Sequence, residues 1–193
     1  SADKMHAFML GKNLYQYLTN CSWRELLDKT AIELDFKHEL FNSEEGRMFK
    51  TLIKELAYPN ASDRISVHVA LKELDKINIF ILKKECQNTL DELKSAGLPQ
   101  HRQELTALQH KVFQQHSLPE LRALKDNIIE KKAELIAAFK ERCYQTLYQL
   151  KKEFAAGNEE LFHQMKETIK NLHSIPSLLS FEREKRQEII STL

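Results

Sequence analysis

The sequence predicts an all-α protein, and three observations support that fold class. Apolar residues recur at spacings of three, four and seven over long stretches, which is the periodicity of an amphipathic helix. The chain contains only four glycines and four prolines, so few positions interrupt a helix. No stretch carries the alternating pattern of a half-buried strand. We therefore expect an elongated helical bundle or array.

Three helices are predicted in the first third of the chain. The first covers residues 3–19, and its apolar stripe consists of Met5, Phe8, Met9, Tyr15 and Leu18. The second begins at the capping box Ser22–Glu25 and runs to about Phe41. The third follows Ser43 and ends before Pro59, because the residue before a proline is disfavoured in the helical region.

Long and short helices then alternate. A long helix is predicted from Ser62 to Ala96, a short one from Pro99 to about Gln115, a second long one from the capping box at Ser117 to Ala156, a short one from Asn158 to about His173, and a final one from Ser177 after Pro176. Gly97 and Gly157 are expected to cap the two long helices.

The chain contains an internal repeat. Residues 86–94 return as residues 143–151, an offset of 57 residues from Cys86 to Cys143, and His116–Pro119 returns as His173–Pro176 with the same offset. Two motifs with one offset indicate duplication of a long-short helical hairpin. We predict an N-terminal helical cap over 1–61, two tandem hairpins over 62–118 and 119–175 (together 62–176), and a C-terminal helix over 177–193.

The apolar stripes of the long helices are broad. In the first they contain Val67, Leu71, Leu74, Ile77, Ile81 or Leu82, Cys86, Leu90 and Leu93; in the second they contain Leu121, Leu124, Ile128, Leu135, Phe139, Leu147, Leu150 and Phe154. Ile129, Ile136, Tyr144 and Tyr148 widen the second stripe beyond a coiled-coil seam. We therefore expect these helices to pack against more than one neighbour.

Composition argues against several classes. The 29 basic and 28 acidic residues nearly cancel, so no nucleic-acid partner is expected. No apolar run reaches the roughly 20 residues that span a bilayer, and no secretory signal is recognised. Cys21, Cys86 and Cys143 are few, odd in number and widely spaced, which favours a reducing, cytoplasmic compartment over a disulfide scaffold.

Signals for catalysis are weak, so we expect no enzyme activity, no catalytic residue, no metal and no cofactor. Glu160 and His163 have the Glu-x-x-His spacing of di-iron bundles, but the further ligands that such a site needs are missing apart from the loose companion Asp35–His38. Cys21 precedes a helix start and is the one cysteine retained as a possible nucleophile. A metal-dependent bundle enzyme is the third hypothesis.

Three aromatic residues are candidate partner-binding anchors, namely Trp23, Tyr144 and Tyr148. Tyr144 and Tyr148 lie one helical turn apart, and the first repeat has Gln87 and Asp91 at the equivalent positions, which suggests exposure. Aromatic rings on a polar face are typical interface anchors. The alternative is that the second repeat has an additional packing neighbour, such as the C-terminal helix.

Basic residues are candidates for anionic head-group binding. They are Lys131, Lys132, Lys151, Lys152, Arg183, Lys185 and Arg186. Head-group pockets need only a few converging cations. The alternative is that these residues cover solvated helix faces, because acidic residues are interspersed with them.

The helices are rich in Lys, Gln, Phe and His, and the C-terminus has Glu182, Glu184 and Glu188 followed by Ile189, Ile190 and Leu193. In these respects the chain resembles effectors that Legionella-type intracellular bacteria export through a type IV system, which often end in a glutamate-rich block followed by an apolar residue. The resemblance implies delivery into the host cytosol, or onto host membranes, and Leu193 as the natural end.

The leading functional hypothesis is a non-enzymatic helical module that binds a protein. By the resemblance, the partner would be a host protein, for example a trafficking protein or a small GTPase. The alternative is a phosphoinositide-binding, membrane-targeting domain of a larger effector.

Overall fold

The structure is a computed structural model that describes residues 2–96, 99–154 and 159–191. Within these ranges the side chains at 153, 154, 185, 186 and 188–191 lie outside the description. The described residues form eight α-helices: α1 (Ala2–Thr19), α2 (Trp23–Leu26), α3 (Glu44–Leu56), α4 (Val67–Ser95), α5 (Arg102–Gln114), α6 (Leu118–Phe154), α7 (Glu159–Asn171) and α8 (Ile175–Ser191). No strand occurs among them, so the all-α prediction is confirmed.

The chain divides into two compact units. One comprises Ser1–Lys84 with His116–Leu121, and the other comprises Glu85–Gln115 with Arg122–Leu193. The predicted segments 1–61, 62–118, 119–175 and 177–193 stay a prediction.

In the first unit, α1 packs against α3. The helix was predicted correctly, but its buried face consists of Ala7, Gly11, Lys12 and Tyr15, whereas Met5 and Met9 are exposed. Gly11 explains the close packing, because a Cβ there would lie 2.8 Å from Leu56 Cβ. A glycine inside a helix therefore serves close helix packing here.

The helix α3 begins and ends where local signals placed it. The Ser43 hydroxyl accepts a hydrogen bond from Gly46 N at 3.0 Å, so it satisfies one of the free amides of the first turn. The helix ends at Leu56, shortly before Pro59. Its buried face contains Leu52, Ile53 and Leu56, which pack against residues of α1 and α4 within this unit.

The predicted helix from Ser22 to Phe41 is wrong. Only the single α-helical turn α2 and a 3₁₀ turn over Glu39–Asn42 form, and the Ser22 side chain makes no capping hydrogen bond. The Glu33 carboxylate accepts from Thr30 N at 2.6 Å, and Asp35 Oδ1 accepts from Lys37 N at 2.9 Å. Such side-chain bonds to nearby backbone compete with helix formation.

An aromatic cluster fixes this irregular segment. The ring of Phe36 lies 5.6 Å from that of Tyr15 and 5.1 Å from that of Phe41, both edge to face. Tyr15 Oη also donates to the Asp35 carbonyl at 2.8 Å. These rings come from distant parts of the sequence, so local patterns did not reveal the arrangement.

The helix α4 begins at Val67, five residues later than the predicted Ser62. Asn60 instead caps a 3₁₀ turn over Ala61–Asp63, and the Ser66 hydroxyl accepts from Val69 N at 3.2 Å at the true helix start. Arg64 holds the intervening loop, because its guanidinium donates to the carbonyls of Tyr58 and Pro59 at 2.6 and 3.1 Å.

In the second unit, the cysteines and leucines of the predicted stripe form the core. Cys86, Leu90 and Leu93 are buried on α4, and Ile128, Leu135, Phe139 and Cys143 are buried on α6. The residues that widened the stripe behave differently, since Ile129 and Tyr148 are exposed. The buried face of α6 is therefore narrower than predicted.

The helices α6 and α8 both begin one residue before a proline. The helix α8 starts at Ile175 instead of the predicted Ser177, and Pro176 lies in its first turn, where a proline costs no hydrogen bond. The helix α6 likewise starts at Leu118, directly before Pro119. The predicted caps Gly97 and Gly157 lie outside the described residues.

Candidate functional site

A groove lies between α6 and α7 in the second unit. Its volume is about 970 Å³. We call it the tyrosine groove, and it is lined by Glu141, Tyr144, Gln145, Leu147, Tyr148, Gln149 and Lys151 of α6 and by Glu159, Glu160, Phe162, His163 and Lys166 of α7. A groove of this size is within the range of ligand-binding sites.

Two tyrosines on the α6 side of this groove were predicted as partner-binding anchors. Tyr148 is 62% exposed and Tyr144 is half-buried. The Lys152 ammonium lies 4.8 Å from the centre of the Tyr148 ring, a distance at which a cation is attracted to the ring face. Phe162 of α7, which is 5% exposed, supplies an apolar floor.

The C-terminal helix lies against another part of α6. Cys143 Sγ donates a weak hydrogen bond to the Leu178 carbonyl at 3.8 Å, and Arg142 donates to Glu182 at 2.6 Å. Tyr148 stays exposed beside these contacts, so packing against α8 does not account for this ring.

The rim of the tyrosine groove carries both signs of charge. Glu141, Glu159 and Glu160 contribute three carboxylates, whereas Lys151 and Lys166 contribute two ammonium groups and His163 adds an imidazole. The balance gives no strong field of one sign. This composition resembles a protein-binding rim more than a pocket for a multiply charged anion.

Trp23 has a different environment from the two tyrosines. It lies in α2, is half-buried, and packs against the buried cluster that contains Tyr15, Leu26 and Phe41. Trp23 belongs to the first unit, whereas the tyrosine groove belongs to the second. Tyr17 of α1 is 86% exposed.

The basic residues of α6 fall into two groups. Lys131 bonds Glu104 at 2.9 Å, which raises the pKa of the lysine and lowers the pKa of the glutamate, and Lys132 bonds Glu92 at 2.7 Å. Lys151 and Lys152 lie about 30 Å further along the helix, at 1.5 Å per residue. One head group cannot contact both groups.

The remaining basic candidates lie on α8. Arg183 is exposed, and the side chains of Lys185 and Arg186 lie outside the described residues. The structure therefore gives no convergence of the predicted head-group residues within the described part of the chain.

A smaller polar pocket in the first unit contains Cys21. Its volume is about 530 Å³, and Tyr15, Asp35 and His38 are among its lining residues. His38 Nδ1 accepts a hydrogen bond from Leu40 N at 3.2 Å, so the neutral ring carries its proton on Nε2. The lone pair of Nδ1 is then already engaged by the Leu40 amide, which does not fit a base that activates a thiol.

The other two cysteines are packing residues. Cys86 and Cys143 are buried, and burial raises the pKa of each thiol above its usual value. Both thiols therefore stay protonated at neutral pH.

Glu160 and His163 both line the tyrosine groove. Within residues 2–96, 99–154 and 159–191, no group of three or more His, Cys, Asp or Glu side chains is placed to hold a metal ion. Among the same residues, no helix is long and apolar enough to cross a bilayer.

Comparison with known proteins places the chain in no family. No protein-family model, no curated protein and no solved structure matches it. We therefore infer function from the surfaces described above.

Proposed function

We propose that this chain is a non-enzymatic helical interaction module that binds a protein partner through the tyrosine groove. The observation that carries the proposal is the 62% exposure of Tyr148 at the edge of a groove of about 970 Å³. Large aromatic side chains contribute most to the binding free energy when an interface removes them from water. An exposed ring at the edge of a groove is suited to that role.

The proposal includes a tandem helical-hairpin repeat as the scaffold of the groove. The short helices α5 and α7 are each 13 residues long, and their first residues, Arg102 and Glu159, are 57 positions apart. Leu105 and Val112 are buried on α5, and the equivalent residues Phe162 and Ile169 are buried on α7. These correspondences support an offset of 57.

Two ion pairs add independent support for the repeat. Lys125 of α6 bonds Glu85 of α4 at 2.7 Å, and Arg142 of α6 bonds Glu182 of α8 at 2.6 Å. Adding 57 to the first pair gives the positions of the second pair, with the charges exchanged between partners. Such exposed ion pairs stabilise a protein by only about 0.2–1 kcal/mol. They matter here because they indicate equivalent geometry at the two positions.

The repeat also supports a functional difference between the two copies. Gln87 and Asp91 of the first copy are replaced by Tyr144 and Tyr148 in the second. The second copy therefore presents apolar rings where the first presents polar groups, which favours partner binding at the second copy.

Less supports the phosphoinositide alternative. Lys131 and Lys132 are engaged by Glu104 and Glu92, and the rim of the tyrosine groove holds as many carboxylates as cationic or titratable nitrogen groups. A head group with several phosphates would need cations without nearby carboxylates. We therefore favour a protein partner.

The resemblance to type IV effectors suggests where to look for that partner. In that setting the chain would act in the host cytosol or at the periphery of host membranes, and a trafficking protein or a small GTPase would be a suitable partner by analogy.

The test is quantitative affinity capture from host-cell lysate. The wild-type chain is compared with the Tyr144→Ala/Tyr148→Ala variant and with Tyr17→Ala, which removes an exposed ring from α1. We expect proteins that the wild type and Tyr17→Ala enrich equally and that the double variant loses. Equal capture by all three would contradict a role for the tyrosine groove.

A further inference from the structure

A second groove lies in the first unit, beside α3. Its volume is about 510 Å³. Its walls are the irregular segment that replaced the predicted second helix and one face of α3. We call it the lysine groove, and it is lined by Ala31, Ile32, Leu34, Asp35, Phe36, Lys37, Lys50, Lys54 and Tyr58.

The ring of Phe36 organises the positive charge of this groove. The ammonium groups of Lys50 and Lys54 lie 5.5 and 5.4 Å from its centre, within the range of cation–π attraction. The ring itself is fixed by edge-to-face contacts with Tyr15 and Phe41. Two like charges one helical turn apart are thus held beside a rigid ring.

The lysines of this groove outnumber its carboxylates. In the part of the chain that the structure describes, neither Lys37, Lys50 nor Lys54 forms an ion pair with a carboxylate. Asp35 also lines the groove, and one of its oxygens already accepts the Lys37 amide at 2.9 Å. Three ammonium groups therefore face one carboxylate, and neighbouring like charges on a helix repel one another.

Apolar side chains accompany the lysines. Ile32 is 79% exposed and Tyr58 is 44% exposed, although both are large enough to gain from burial. An isolated inorganic anion would leave these side chains in water. A ligand that carries both carboxylates and an apolar side chain would cover them and also neutralise the lysines.

We propose that the lysine groove binds an acidic segment of a partner protein, one that combines glutamate or aspartate side chains with an apolar anchor. The carboxylates meet Lys37, Lys50 and Lys54, and the apolar side chain contacts Ile32 and Tyr58. This site belongs to the first unit and does not depend on the tyrosine groove. A negative result for the lysine groove would leave the function proposed above unaffected, and the reverse also holds.

Fluorescence anisotropy with a short labelled peptide tests the proposal. The probe alternates pairs of glutamates with single leucines, and two control peptides replace either the leucines by serine or the glutamates by lysine. We expect the full chain to bind the probe, to bind both controls more weakly, and to lose affinity as salt is raised, because exposed charges are screened.

Two pairs of lysines give matched variants. Lys50→Gln/Lys54→Gln removes the charges of the groove, and we expect about tenfold weaker binding. Lys72→Gln/Lys111→Gln removes two exposed lysines that form no ion pair among the described residues, and it should bind as the wild type does. Lys50→Arg/Lys54→Arg keeps the charge and should retain binding, which separates loss of charge from loss of fold.

Several results would overturn the proposal. They are the absence of probe binding to the wild type, equal binding of the glutamate and lysine peptides, and equal affinity of the Lys50→Gln/Lys54→Gln variant. Binding of phosphatidylserine vesicles that depends on Lys50 and Lys54, without binding of the peptide, would assign the groove to a lipid surface and also reject the proposal.

Discussion

Truncation of Phe162 should destabilise the protein much more than truncation of Tyr148, although both rings line the tyrosine groove. Phe162 is 5% exposed, so Phe162→Ala removes a buried ring and leaves a cavity. Substitutions of this kind cost about 3–5 kcal/mol of unfolding free energy. Tyr148 is 62% exposed, and its recorded partner is the Lys152 ammonium at 4.8 Å. Loss of an exposed cation–π contact costs about 0.5–1 kcal/mol.

Urea unfolding followed by far-ultraviolet circular dichroism measures this contrast. With a slope of about 1–3 kcal/mol per molar urea, Phe162→Ala should lower the transition midpoint by more than about 1 M. Tyr148→Ala should lower it by a few tenths of a molar. Tyr17→Ala is the matched control, because Tyr17 is an exposed ring in the other unit and is expected to change the midpoint little.

One result would refute the reasoning. If Tyr148→Ala destabilised the protein as much as Phe162→Ala, the Tyr148 ring would belong to the core and would not be free for a partner. The additional packing neighbour considered from the sequence would then explain both tyrosines of the second repeat, and the proposed binding surface would lose its anchors.

Two further predictions concern α1. Gly11→Ala should lower the melting temperature despite the higher helix propensity of alanine, because the new Cβ would lie 2.8 Å from Leu56 Cβ; overpacking of this kind costs about 1–3 kcal/mol. Lys12 is 1% exposed, and burial lowers its pKa below 10.5, so the folded state binds fewer protons than the unfolded state as the pH approaches that value. The stability of the wild type relative to Lys12→Met should therefore rise with pH up to about 10.5, as denaturant titrations at several pH values can measure.

The Gly11→Ala prediction has a control variant, and for both predictions one outcome would contradict the reasoning. Asn13→Ala changes an exposed position of the same helix and should stabilise it slightly, because alanine has the higher helix propensity. A gain in melting temperature for Gly11→Ala would mean that α1 and α3 do not approach closely. A stability difference between wild type and Lys12→Met that is constant with pH would mean that the Lys12 ammonium is solvated in the folded protein.

Some helix boundaries were predictable from a local signal. Ser43 caps α3 through a bond to an amide three residues away, and Pro119 and Pro176 mark the starts of α6 and α8. Such bonds form within a single turn, so a short window of sequence contains both partners. The same holds for the 3.6-residue periodicity of the long helices.

The segment from residue 27 to residue 42 was not predictable in this way. Its capping box at Ser22 supports only one helical turn. The segment then turns because Tyr15 binds the Asp35 carbonyl and because its ring contacts Phe36 and Phe41. Those partners come from another helix, so no local pattern contains the interaction that outweighs helix formation.

The candidate sites also differ in whether a sequence pattern indicates them. Comparison of Tyr144 and Tyr148 with Gln87 and Asp91 left exposure and an additional packing neighbour as alternatives; in the structure Tyr148 is 62% exposed and Tyr144 is half-buried. The role of Trp23 as a partner-binding anchor stays a prediction; this side chain is half-buried beside the cluster of Tyr15, Leu26 and Phe41. The lysine groove was not predicted. No sequence pattern indicates that Lys37, Lys50 and Lys54 line one groove, or that two of them, Lys50 and Lys54, lie beside the Phe36 ring.

The sequence by itself determined the helical class and several helix boundaries, because those depend on residues within a few turns of one another. Only the tertiary structure decided which charges are free. Lys131 and Lys132 resemble Lys50 and Lys54 in the sequence, yet the first two meet Glu104 and Glu92, whereas the second two meet an aromatic ring. The physical reason is that an ion pair requires a partner within about 4 Å, and helices far apart in the chain supply that partner only once they have packed.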